Sequence, residues 1–238
     1  MIYKISLILL SFILIITVII SIKREHKKNN RVNKDWSSYI ISQIDSDTRP
    51  LFKKIIKDYF DDREHKNNFQ YSAVNFGSGS GREDIELINN GWEVLSIDLC
   101  PESFKVIEKN TQNSKGKSVF FHGDFNSVKL VKKYDLIMSF FSLPFGNKKN
   151  LDEILKNINN HIKADGIFVA NFFGEGHDFV KNNKAYGLSS KELLMKLLNN
   201  NFEIIEFKNN TYYRKAFSSE GKKIKWEVLE VIAKKQKL

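Results

Sequence analysis

Residues 73–81 read AVNFGSGSG, and what stands on either side of them decides the fold. Ala73, Val74 and Phe76 supply the bulk of a buried strand around Asn75, and Gly77, Gly79 and Gly81 follow at alternate positions. Glycine permits positive φ and lets the backbone approach a bound group where a Cβ would clash. Arg82-Glu83-Asp84 then opens a helical stretch, whose first free N–H groups favour polar or anionic ligand groups. The next apolar run, GWEVLSID, closes on Asp98, 23 positions after Asn75. Strand, glycine turn, helix, strand and terminal acid is an order that serves a nucleoside-bearing ligand, with the acid placed for a ribose diol. A glycine turn alone is also how an ordinary strand enters a helix. The acid at the end of the second strand gives the pattern its functional meaning.

The glycine spacing separates two cofactor classes. A dinucleotide fingerprint needs G-x-G-x-x-G, which from Gly77 would put the third glycine at position 82. Arg82 stands there, and the spacing is G-x-G-x-G. With NFGSGSGRED followed by GWEVLSID, the chain resembles the class I S-adenosylmethionine-dependent methyltransferases, most closely their tellurite-resistance-type, small-molecule branch. The resemblance implies that Gly77, Gly79, Gly81 and Arg82 form the cofactor turn, and that Asp98 with Leu99 holds the ribose edge. It also implies that Asp124 and Phe125 face the adenine, and that Ser139 and Phe140 lie beside the methionine portion. Asn75 stands where the family carries an acid. Its amide oxygen can accept a hydrogen bond from an ammonium group but brings no charge.

Downstream, SVFFHGDF (118–125) reads as a third strand and YDLIMSFFSLPF (134–145) as a fourth with its loop. LDEILKNINNHIKADG (151–166) reads as a helix stopped at an Asp-Gly turn, and GIFVANFFGEGHDF (166–179) as a fifth strand and loop. SSKELLMKLLNN (189–200) has leucines at helical spacing behind a serine cap. FEIIEFKNN and IKWEVLEVIAKK alternate as half-exposed strands do, joined by the polar stretch NNTYYRKAFSSEGK. The expected fold is α/β: a Rossmann-like, seven-stranded, mostly parallel sheet with helices on both faces and a C-terminal antiparallel hairpin. Residues 36–68 read as helical on an apolar face that includes Ile40, Ile55 and Phe60.

Ile5 to Ile22 is an uncharged, nearly all-apolar run, roughly 27 Å long as a helix and close to the thickness of a bilayer core. It exceeds a secretory h-region and ends without a small-x-small cleavage site, so residues 1–22 are expected to be an uncleaved transmembrane helix. Residues 23–35 follow as a basic juxtamembrane linker and 36–238 as the methyltransferase-like domain. Six of the ten excess positive charges lie in residues 1–34, which places the globular part on the cytosolic face of the inner membrane. The charge left to the rest is that of a solvated surface, and it argues against a nucleic-acid partner. Cys100 is the single cysteine, and the five histidines show no metal-ligand spacing, so no metal is expected. Among titratable groups, Glu175, His177 and Asp178 cluster where an acceptor would lie, and His177 is the candidate base. The expected activity is methyl transfer from S-adenosyl-L-methionine to a small-molecule acceptor. Two alternatives stay open: a nucleotide-dependent oxidoreductase with Asp98 on a nicotinamide-cofactor ribose, and a membrane-tethered binding protein without chemistry.

Overall fold

The computed structural model describes residues 36–61, 70–216 and 221–236. One sheet organises them. Its strands are β1 (Ser72–Phe76), β2 (Glu93–Asp98), β3 (Lys117–His122), β4 (Tyr134–Ser139), β5 (Ile162–Phe173), β6 (Phe202–Lys215) and β7 (Lys223–Lys235). They lie in the order β3-β2-β1-β4-β5-β7-β6. β1 to β5 pair in parallel and β7 runs antiparallel between β5 and β6. The order reverses between β1 and β4, the point at which such sheets open a crevice beyond their carboxyl ends.

The helices are α1 (residues 36–42), α2 (Pro50–Tyr59), α3 (Arg82–Asn89), α4 (Pro101–Thr111), α5 (Leu151–His161), the short α6 (Asp178–Lys181) and α7 (Ser190–Asn199). β1 and β4 are buried throughout, so each alternate residue meets a different helix layer. Val74, Phe76, Ile137 and Phe168 pack with Leu155 and Ile158 of α5 and Leu193 and Leu197 of α7. On the other face Ala73, Leu136, Met138 and Val169 pack with Phe52 and Ile55 of α2 and Leu87 and Ile88 of α3. Trp92 anchors that layer against Phe60 and Tyr71, with ring centroids 5.0 and 4.8 Å away.

The sheet, its hairpin and the two helix layers agree with the sequence reading, while several boundaries move. The helical reading of 36–68 breaks at residues 43–49, ahead of Pro50, whose fixed φ suits the first turn of a new helix. β3 stops at His122, and β4 stops at Ser139 before a 3-10 turn at Leu143–Phe145. Lys163 to Gly166 do not end a helix. They form an irregularity inside β5, because Lys163 Nζ reaches the buried Asp135 of β4 at 2.8 Å. A Cβ at Gly166 would sit 3.0 Å from the Tyr134 and Asp135 carbonyls, so the close approach needs glycine there. The stretch read as a polar connection is mostly strand, since β6 runs on to Lys215. Its pairing with β7 continues from Thr211↔Glu227 to Lys215↔Lys223, past the last β5 partner at Phe173↔Val228. A two-stranded ribbon thus projects beyond the sheet on the side where β4 and β5 end.

No helix among the described residues is long and apolar enough to cross a membrane. The expected anchor at 1–22 and the linker at 23–35 lie outside the described residues, as do 62–69.

Candidate cofactor site

The glycine turn leaves β1 at Phe76 and enters α3 at Arg82. Gly77, Gly79 and Gly81 have φ of 82, 57 and 71°. The amides of Gly77 and Ser78 donate to the Ile97 carbonyl at 2.8 and 3.0 Å, which lays the turn across the end of β2. Asp98 then accepts from the Gly79 amide through one oxygen and from the Cys100 amide through the other, both at 2.8 Å. The acid therefore shapes the turn as well as standing at its mouth, and each oxygen keeps lone-pair capacity for a ligand hydroxyl. Burial pushes its pKa up against those N–H donors.

The three glycines are not equivalent. A Cβ at Gly77 would overlap Ser142, and one at Gly81 would overlap Ile107 of α4. At Gly79 it would meet nothing within 4 Å. The outer two are required by protein packing, whereas the middle one faces open space at the mouth of the turn. That cradle is what a nucleoside-linked group needs to come close to backbone amides.

Asn75 is 2 % exposed, and its amide nitrogen donates to Asp84 Oδ1 at 2.6 Å. Ser96 Oγ donates to the other Asp84 oxygen at 2.6 Å. Asp84 is wholly buried, and desolvation first, opposed by these donors, pushes its pKa up to about 7. Asn75 Oδ1 has no hydrogen-bond partner among the described residues. Arg82 turns the other way. Its Nη1 donates to the Asp47 carbonyl at 3.0 Å and its Nε lies 3.3 Å from Glu83. Arg49 pairs with the same Glu83 at 2.6 Å and lies over the Phe140 ring at 5.3 Å. Burial, and then the neighbouring Arg49 charge, lower the pKa of Arg82. Arg82 thus ties the segment before α2 to the glycine turn.

Leu99 is exposed beside Asp98, and its carbonyl accepts from His122 Nε2 at 3.0 Å. Asp124 lies just past β3, where its carboxylate accepts from the amides of Asn126 and Ser127 at 2.7 and 3.0 Å. Phe125 packs edge-to-face on Phe76 at 5.9 Å. At the end of β4, Ser142 Oγ donates to the Phe76 carbonyl, so the 2.7 Å contact between Ser139 and Ser142 is donated by Ser139. Asn75, the glycines, Asp98, Leu99, Ser139 and Phe140 thus come together at the carboxyl ends of β1, β2 and β4.

His177 does not. The sequence offered it as the candidate base, and the residue is instead part of the core. It is fully buried, 3.9 Å from the Phe173 ring centroid, 4.9 Å from Trp226 and 5.1 Å from Phe179. Its Nδ1 accepts the Phe179 amide at 3.0 Å and so caps α6. The neutral ring then carries its proton on Nε2, which has no hydrogen-bond partner among the described residues. Desolvation pushes its pKa down to about 4. With Nδ1 committed and Nε2 protonated, no lone pair is free to accept a proton.

Residues that no motif singled out complete the surroundings. Phe141, at φ 57°, packs against Phe173 and Trp226. Strained backbone of this kind gathers at functional sites. Trp36 of α1 crosses Phe145 at 5.0 Å, while its neighbour Ser37 donates to Glu102 at 3.1 Å. Trp226 was readable only as an apolar position in an alternating strand, and Trp36 lay ahead of any motif.

The profile of the family described as tellurite resistance protein TehB matches residues 68–232. A Haemophilus influenzae protein named "probable S-adenosyl-L-methionine-dependent methyltransferase TehB" is 23% identical over 168 residues, 69% of this chain and 57% of that protein. A malonyl-[acyl-carrier protein] O-methyltransferase of Bacillus anthracis is 28% identical over 116 residues, 48% of this chain and 42% of that one. The chain thus spans about half the length of these curated relatives. The crystal structure of TehB from Haemophilus influenzae superposes with a TM-score of 0.64 at 17% identity, over 79% of this chain and 63% of that one. With its glycine turn, its Asp98 and this strand order, the chain belongs to the tellurite resistance protein TehB family and has the class I methyltransferase fold.

Proposed function

We propose that this chain binds S-adenosyl-L-methionine and transfers its methyl group to a small-molecule acceptor, at the cytosolic face of a membrane that it joins through residues 1–22. The observation that carries the first part is the turn pinned to Asp98 by the Gly79 amide, with open space in front of Gly79. The named activity of its relatives supports the same reading. The cofactor would supply a methyl group already activated by a sulfonium. What remains for the protein is to hold the ribose at Asp98, present the turn amides, and align an acceptor while excluding water.

The surroundings of the β4 and β5 ends favour an acceptor that is itself a good nucleophile. Phe141, Phe145, Phe173, Phe179 and Trp226 make an aromatic wall there, and the histidine within it is neutral and committed. A thiolate or chalcogen oxyanion needs no base, whereas an alcohol does. The division into a 1–22 anchor, a 23–35 linker and a 36–238 catalytic domain belongs to the same proposal. Its support is the apolar run and the basic cluster behind it.

Calorimetric titration of the full-length chain with S-adenosylhomocysteine and with NAD separates the readings. Saturable binding of the first and none of the second is expected. Asp98→Ala should weaken it by roughly 2–4 kcal/mol, the loss of two charge-assisted hydrogen bonds. Binding of NAD alone would establish the oxidoreductase reading, and binding of neither would end both.

A further inference from the structure

The group that the turn chemistry leaves unexplained is the buried pair Asn75–Asp84. Asn75 is the penultimate residue of β1, two residues before the turn, and its register partners are Ser96 on β2 and Met138 on β4. Both Asp84 oxygens are occupied, one by the Asn75 amide nitrogen and one by Ser96 Oγ, each at 2.6 Å. An ionised carboxylate accepts only, so it dictates which way the amide lies: nitrogen toward Asp84, oxygen away. The oxygen so turned away is buried and without a partner among the described residues. Burying an acceptor unmatched leaves its lost hydration uncompensated, so a site that does this is built for a donor that arrives.

We propose that Asp84 is a positioning residue for cofactor binding, holding Asn75 by its nitrogen so that Oδ1 is offered to the ammonium group of the methionine portion. The proposal rests on the methyltransferase reading above. The strand position holds a neutral side chain, and the negative charge sits one layer behind it on α3. Asn75 is the coupling between that charge and the ligand.

The protonation of Asp84 governs the arrangement. Protonated, Asp84 can donate to the amide oxygen, and the amide then presents nitrogen, which repels an ammonium group. Ionised, it restores the oxygen. The groups facing Asp84 are Asn75 from β1, Ser96 from β2 and Ser78 from the turn. Glu83 beside it on α3 favours protonation and is itself paired with Arg49 and Arg82. α4 presents Ile107 to the turn. Ligand binding therefore favours the ionised form and releases a proton near pH 7.

The test uses the full-length chain with two probes, S-adenosylhomocysteine and 5′-methylthioadenosine, which keeps the adenosine and sulfur but has no ammonium group. S-adenosylhomocysteine should bind roughly five- to ten-fold more tightly at pH 7.5 than at pH 6.0, within the decade per pH unit that one linked proton allows. Methylthioadenosine affinity should not change. In Asp84→Asn the pH dependence for S-adenosylhomocysteine should vanish and its affinity should fall, with methylthioadenosine unaffected. Exchanging the pair, Asn75→Asp with Asp84→Asn, should recover binding. If Asp84→Asn fails to fold, the wild-type chain decides: binding enthalpies at pH 7 in buffers of different ionisation heat should reveal a released proton. Absence of that proton, a pH dependence shared by methylthioadenosine, or one that survives in Asp84→Asn would overturn the proposal and leave the cofactor reading standing. No binding of S-adenosylhomocysteine at either pH would take down both.

Discussion

The three glycines of one turn are held by two different causes, and that makes the middle one separable from the outer two by mutation. Gly77 and Gly81 abut Ser142 and Ile107, so any side chain there disturbs the fold as well as the ligand. At Gly79 a Cβ meets nothing within 4 Å, and the φ of 57° is what resists a side chain, at on the order of 1–3 kcal/mol. Gly79→Val should therefore keep native circular dichroism and lose only a few degrees of melting temperature while abolishing S-adenosylhomocysteine binding. Gly77→Ala should lose stability first. Normal S-adenosylhomocysteine binding in a folded Gly79→Val variant would mean that the space before Gly79 is not a ligand site. The turn and Asp98 were legible because glycine and a strand-end acid are chemically restricted choices. The Asn75–Asp84 pair was not, since Asp84 read as an ordinary first-turn acid until the fold buried it under Ser96. Asn75→Asp alone would not simply place a charge beside the cofactor, because it brings two carboxyl groups together at a site where the amide nitrogen was the donor.

Short elements depend on single side chains. α6 has four residues, and its N-terminus is capped by a histidine ring rather than by a hydroxyl or carboxylate. His177 can accept the Phe179 amide only while Nδ1 is unprotonated. Its pKa of about 4 lies below the ordinary 6.5, so between those values the unfolded chain takes up a proton that the folded one does not. Stability from this group is complete above pH 6.5 and lost as pH falls toward 4. Asp84 acts in the opposite sense. Its pKa of about 7 exceeds the ordinary 3.8, so its contribution is present at low pH and lost as pH rises toward 7. The two offset each other across pH 4–6.5. His177→Asn keeps a capping acceptor but does not titrate. The stability gap between wild type and this variant, from urea unfolding, should shrink by up to roughly 2 kcal/mol between pH 6.5 and 4.5. A gap independent of pH would show that the ring is not held neutral. Sequence periodicity located α5, α7 and the hairpin well, because amphipathic spacing reports burial directly. It misread Lys163–Gly166 because Asp-Gly is ordinarily turn chemistry, and the partner that keeps this stretch in the sheet, Asp135, is far away in sequence.

At the scale of the molecule, the segment that leads into the sheet domain is also the one that touches its functional edge. α1 begins directly after the basic stretch and reaches Phe145 through Trp36 and Glu102 through Ser37. If residues 1–22 span a bilayer, the mouth of the site lies close to the membrane surface. Full-length protein should then sediment with membranes and resist both high salt and alkaline carbonate, and a C-terminal reporter should read as cytosolic. Release by salt alone would leave only the basic cluster as a surface attachment, and a mature chain starting near Lys23 would show a cleaved leader. The ribbon formed by the ends of β6 and β7 carries Tyr212 stacked on Trp226. Beyond Phe173 β7 leaves its ladder with β5 and is held by single contacts, the Gly174 amide on the Glu227 carbonyl and the Lys225 amide on Asp178, both at 2.8 Å, so the ladder out to Lys215↔Lys223 rests on fewer strand hydrogen bonds than the stretch behind it. Its amides open at a lower free-energy cost than those of the paired stretch behind them. Hydrogen exchange should therefore be faster at Tyr212 to Lys215 than at the β6 amides paired behind them, and equal protection along the whole strand would show that the ribbon is held as firmly as the sheet.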